Sequence, residues 1–170
     1  MTISKQDYLT GSDVGIDYAH HKIHEGDHYK SGYQSTALDT GDTINLLFTT
    51  PNTDKQMHFT LTSQTTGQAT VQFFRSPTVT TEGTATTKFN RNENSSNISE
   101  MIVKHTNVIS SNGNKISEKW IGSDGFKESS GGTTRGNSEI ILMKNTQYLI
   151  LLTAESDGMK GAIGGDWYEE

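Results

Sequence analysis

Four histidines, His20, His21, His24 and His28, stand beside Glu25 and Asp27 near the start of the chain. These are the residue types that hold transition metals. On one continuous helix His20, His24 and His28 would share a face. Gly26 with Asp27 breaks such a helix; on a strand His20, Lys22 and His24 would share a face, with His28 beyond a turn. The cluster is therefore expected to consist of surface or interface histidines, with no metal or other cofactor. A zinc-dependent rise in melting temperature would reverse that expectation.

A second candidate is Leu38-Asp39-Thr40-Gly41. It matches the short segment around the activating Asp of aspartic proteases, where two carboxylates share one proton. A single copy would require a dimer, and retained peptide cleavage in Asp39→Asn would end this reading. Asp and Gly are turn formers in their own right. With Asp42 next in line, the segment reads more simply as a hairpin turn. Asn94-Ser95-Ser96 fits a glycosylation acceptor, but residues 1–10 contain Lys5, Gln6 and Asp7 and no apolar stretch, so no secretory signal is expected. The chain carries no Gly-x-Ser-x-Gly elbow and no phosphate-cradling Gly-Lys-Ser/Thr element.

The elements that would position these residues are strands. Beyond His21 there is almost no helical period, and short apolar segments alternate with Thr, Ser and Asn between Gly-containing turns. Residues 29–37, 43–50, 57–62, 69–73, 101–103, 115–121, 139–143, 147–153 and 160–168 read as strands, and 78–89 as a loop with a short strand. Thr66-Gly67-Gln68 reads as a tight hairpin turn, and 90–97 as a polar turn cluster. One strand pattern over 170 residues predicts a single all-β domain, an antiparallel sandwich or barrel, over 20–170. Residues 1–19 are polar and irregular and are expected to form an N-terminal arm. Residues 122–136 form a Gly/Ser/Thr-rich loop with one aromatic, Phe126.

Composition narrows the partners. With hydrophobic residues at 31% and 17 Gly, the chain stays below the roughly 45–50% apolar content usual for globular domains, which hints at support from further copies. The net charge of −6, with scattered Lys and Arg, disfavours nucleic acid. No run is long enough for a membrane helix, and without Cys the fold uses neither disulfides nor thiolate metal sites. Trp120, Trp167 and six Tyr could form a sugar-stacking face, although Trp167 fits the core or an interface better.

Several short stretches occur together in order: His21-Lys22-Ile23-His24-Glu25-Gly26, Thr49-Thr50-Pro51, Asn90-Arg91-Asn92, Glu139-Ile140-Ile141-Leu142, Asn145-Thr146-Gln147-Tyr148-Leu149 and Trp167-Tyr168-Glu169-Glu170. This series resembles the small β proteins encoded beside the major capsid protein of tailed bacteriophages, the head decoration or cement proteins. The resemblance implies a jelly-roll-like sandwich on the outside of the virion, assembled in the host cytoplasm. It also implies a homotrimer that binds the major capsid protein, with no enzymatic activity. Expected contact regions are the arm to Ala19, the segment from His20 to Tyr29 with His21 and His24, and the 122–136 loop with Phe126. Trp167 and Tyr168 are the expected subunit interface. The rival readings are a host-recognition or carbohydrate-binding module, marked by exposed aromatics beside Asn and Asp, and the aspartic protease-like enzyme at Asp39.

Overall fold

The computed structural model describes residues 4–6, 13–15, 17–122, 130–131 and 138–170. In chain order the elements are β1 (Ser4–Gln6), β2 (Asp13–Gly15), α1 (Tyr18–Glu25), β3 (His28–Leu38), β4 (Thr43–Thr49), β5 (Met57–Thr65), β6 (Ala69–Arg75), β7 (Thr78–Thr81) and β8 (Thr84–Ala85). They continue with β9 (Phe89–Asn90), β10 (Ile102–His105), β11 (Val108–Ser111), β12 (Asn114–Ile121), β13 (Ser130–Gly131), β14 (Ile140–Leu142), β15 (Gln147–Ala154) and β16 (Met159–Glu169).

Two antiparallel sheets pack face to face as an all-β sandwich. Sheet I runs β13-β5-β16-β3-β9, with β14 also paired to β5. Sheet II runs β12-β6-β15-β4-β10-β8. Alternation along each strand selects the inward residues. Trp167 lies in register between Tyr29 and Phe59, and Tyr148 opposite Phe48. Phe48 of sheet II meets Phe59 of sheet I edge-on at 4.9 Å between ring centres, and Phe59 stacks on Phe73 at 5.6 Å. Gly165 makes room for this contact, since a Cβ there would lie 2.2 Å from the Phe59 ring.

The turns at 39–42 and 66–68 are not the hairpins their composition suggests. Each carries the chain from sheet I to sheet II, from β3 to β4 and from β5 to β6. Strand alternation is the same whether the next strand pairs or crosses, so the pattern leaves the partner open. Three crossings meet at one end of the sandwich. Thr40 N–H donates to Asp157 Oδ1 at 2.8 Å, Gly158 N–H to Asp39 Oδ1 at 3.0 Å, and Gln68 N–H to Ser156 Oγ at 3.1 Å. Asp39, the residue of the protease-like triplet, thus serves as a turn acceptor.

The histidine segment is helical rather than extended, and the expected arm boundary at 19/20 falls inside α1. Asp17 caps its start by accepting the His20 N–H at 3.0 Å, and Gly26 closes it at φ 81°. Gly26 therefore ends a short helix instead of preventing one, and His28 falls outside it on β3. At the N-terminal end β1 and β2 pair antiparallel.

Candidate interaction surface

The outer face of sheet I can be followed row by row from its register. His28, Tyr168 and His58 form the first row, and Phe89, Lys30, Asp166 and Thr60 the second. Gly32, Gly164 and Thr62 form the third, and Gln34, Ala162 and Gln64 the fourth. With two glycines side by side, the third row is bare backbone at Gly32 and Gly164, with Thr62 beside them. The rows around it enclose an open trough of about 820 Å³.

Helix α1 lies over the first row. The His28 ring is buried with an acceptor at each nitrogen, the Ala19 carbonyl at 3.1 Å and Asp166 Oδ1 at 2.7 Å. Contacts at both ring nitrogens fix the orientation of the imidazole. Arg91 Nη1 lies 3.5 Å from Asp166 Oδ2. Tyr168 donates to Glu139 Oε1 at 3.0 Å and meets the Tyr18 ring edge-on at 5.9 Å, and Tyr18 donates to Glu170 Oε1 at 2.8 Å. That last bond raises the Tyr18 pKa. The polar turn at 90–97 holds the C-terminal end of the helix: Asn90 Nδ2 donates to the Gly26 carbonyl at 2.7 Å and Asn92 Nδ2 to the His24 carbonyl at 3.1 Å. These contacts pin the helix to the sheet.

Sheet II carries a different cover. Leu47, Phe74 and Leu149 on its outer face are buried, and Val79 of β7 and Ile109 of β11 pack on them. The β7–β11 pair is thus a third layer over this face.

Exposed large apolar side chains gather on the two flanks of the sandwich. On the β12/β14 flank they are Ile116, Trp120, Ile140, Ile141 and Met143, with Trp120 75% exposed. On the opposite flank, beside β9 and β10, they are Phe89, Ile98 and Ile102, with Ile98 80% exposed.

The sequence-predicted contact residues divide three ways. His21 and His24 lie on α1, His21 half-buried and 3.1 Å from Glu25, His24 exposed with its Nε2 3.1 Å from that of His20. Among the described residues no group of three His, Cys, Asp or Glu could hold a metal ion. Tyr29, Trp167 and Tyr168 are corrections: all three are at most 5% exposed and cannot form a surface contact. They are buried because β16 sits in the middle of sheet I, between β3 and β5, with Tyr29 and Trp167 inside and Tyr168 under α1. Phe126 lies outside the described residues, as does most of the 122–136 loop. Sequence reasoning missed the trough, although glycines inside two strands, Gly32 and Gly164, are its signal.

The fold defines the class, an antiparallel β-sandwich with two apolar flanks and one covered face. No protein family, curated protein or solved structure matches the chain.

Proposed function

We propose that this chain is a structural virion protein, a head decoration protein that sits on the outer face of a phage capsid and ties neighbouring major capsid subunits together. The observation that carries this reading is the pair of different apolar flanks on opposite sides of one slab. Two unlike patches make a head-to-tail contact, which closes into a ring when the rotation between copies returns to the start and otherwise gives an open filament. A ring of three places the Trp120 flank of one copy against the Ile102 flank of the next. The strand order supports the jelly-roll form of the sandwich. The sets β3-β16-β5-β14 and β4-β15-β6-β12 have the order of two wrapped Greek keys, an arrangement common in viral coat proteins.

Light scattering in solution is expected to give three times the 18.7 kDa chain mass. Trp120→Glu or Ile102→Glu each leaves a monomer. A mixture of the two gives a heterodimer, because one intact flank remains on each chain. Phage heads lacking the protein should lose DNA at a lower temperature and regain resistance when it is added. Heads equally robust without it would refute the reading.

The trough on sheet I favours a second reading, a glycan-binding module of the virion. Phe89 supplies an exposed ring at one side, and Gln34, Gln64 and Lys30 supply hydrogen-bonding groups around a bare floor. Glycan-array binding that Phe89→Ala and Gln64→Ala abolish would support it; an empty array would dismiss it.

A further inference from the structure

Among the described residues, a gap remains between the edge strands β12 and β14. A cavity of about 300 Å³ enters there, at the small end of ligand pockets. Phe59 and Leu61 of β5, Val71 and Phe73 of β6, and Ile140 of β14 give it apolar walls. Ser117, Glu118, Lys119 and Ser138 make up the polar part of its lining, and Lys119 carries its positive charge. The register partner of Lys119 is Val71, a core residue, so the lysine stem enters on the core side of β12. Among the described residues no carboxylate pairs with its ammonium. The adjacent Glu118 is in register with Gln72 on the opposite face, where it accepts from Lys115 Nζ at 2.7 Å and Gln72 Nε2 at 2.5 Å. Burial alone lowers the Lys119 pKa, as expected for a cation drawn from water without an offsetting charge.

We propose that this cavity binds a small amphipathic carboxylate, its hydrocarbon part between the sheets and its carboxylate on Lys119 Nζ. The apolar walls select the hydrocarbon. The single ammonium selects a single negative charge and forms a charge-assisted hydrogen bond with it. Ser117, which also lines the cavity, offers a hydroxyl to the second oxygen. A phosphate dianion fits less well, since one lysine would leave half its charge uncompensated against apolar walls. The cavity opens on the flank that the assembly reading places in a contact, so the Trp120→Glu monomer tests it with that flank uncovered. Trp120 stands on the outer face of β12, in register with Thr70, whereas the cavity lies between the sheets.

The test is calorimetric titration with octanoate, 1-octanol and octylamine below their aggregation limits, on the wild type, on the Trp120→Glu variant and on Lys119→Met. Octanoate is expected to bind the Trp120→Glu monomer at least tenfold more tightly than the alcohol or the amine does, and the wild type no more tightly than that monomer. Lys119→Met, a substitution at a sheet edge that keeps the apolar stem, is expected to lower octanoate affinity at least tenfold, to the level of octanol. Methyl resonances of Leu61, Val71 and Ile140 should shift in the Trp120→Glu monomer. Absence of saturable octanoate binding, equal affinity for octanol, or undiminished binding by Lys119→Met would each overturn the proposal.

Discussion

The outer faces of the two sheets have the same backbone construction and opposite fates. That of sheet II presents Leu47, Phe74 and Leu149, and a β-ribbon covers them. That of sheet I presents Gly32, Gly164, Ala162, Gln34 and Gln64, and among the described residues only one end is covered, by a helix held through polar contacts. Burying a leucine contributes roughly 1.5–3 kcal/mol, whereas a bare glycine row offers a cover almost no apolar area. Side chains, not strand order, therefore decide which face acquires a third layer and which remains open to a ligand.

The largest test of this contrast is a matched pair of charges. Leu149→Glu places an unpaired carboxylate under the β7–β11 cover and is expected to cost about 4 kcal/mol or more, enough to unfold a marginal domain. Ala162→Glu places the same group on the other outer face and should change stability by about 0.5 kcal/mol or less. Urea unfolding of the two variants measures the difference, and equal losses would erase the contrast. Next comes Gly165→Ala, on the side of sheet I that faces the core. The added methyl must displace the Phe59 ring, so a loss of about 1–3 kcal/mol is expected from the same measurement.

The two covers can also be separated. Asp17→Ala removes the cap of α1 and should cost about 1 kcal/mol. Amide exchange should then quicken in Tyr18–Glu25 and stay unchanged in β7 and β11; parallel quickening would mean that the covers are coupled.

The smallest effect concerns Lys88, under neither cover. Its ammonium donates to the Ser99 and Met101 carbonyls at 2.6 and 2.8 Å, and burial lowers its pKa below 10.5, with Glu169 opposing. Between the folded and unfolded pKa the unfolded chain binds more protons, so stability should rise with pH in that window. The rise should be smaller in Lys88→Met than in the wild type when melting temperatures are followed from pH 8 to 10.5, with Lys119 accounting for a remainder. An identical slope in both proteins would remove Lys88 as its source.

Most strands were legible because Thr43–Thr49 and Gln147–Ala154 combine β-branched and apolar residues between turn formers. Their partners were not, because alternation states which residues turn inward and nothing about the neighbouring strand. The crossings at 39–42 and 66–68 were misread as hairpins for that reason. The aromatics Tyr29, Trp167 and Tyr168 looked like interface residues near a chain end, but strand insertion between β3 and β5 takes them out of reach. Helix α1 is eight residues long, too short to show a clear period, although its limits were written in Asp17 and Gly26. Of the candidate surface, His21 and His24 were visible in the sequence. Lys119 was not, because its meaning comes from Val71 and Ile140, far from it along the chain.

The placement of β15 and β16 has a consequence for synthesis. These two strands follow all the other described strands along the chain, yet β15 lies between β4 and β6, and β16 between β3 and β5. A ribosome-bound chain lacking Gln147–Glu169 has two half-sheets with unzipped inner borders and no means of joining them. Such long-range pairing folds slowly and exposes sticky edges meanwhile. The decisive step in folding the sandwich thus waits for Gln147–Glu169 to become available.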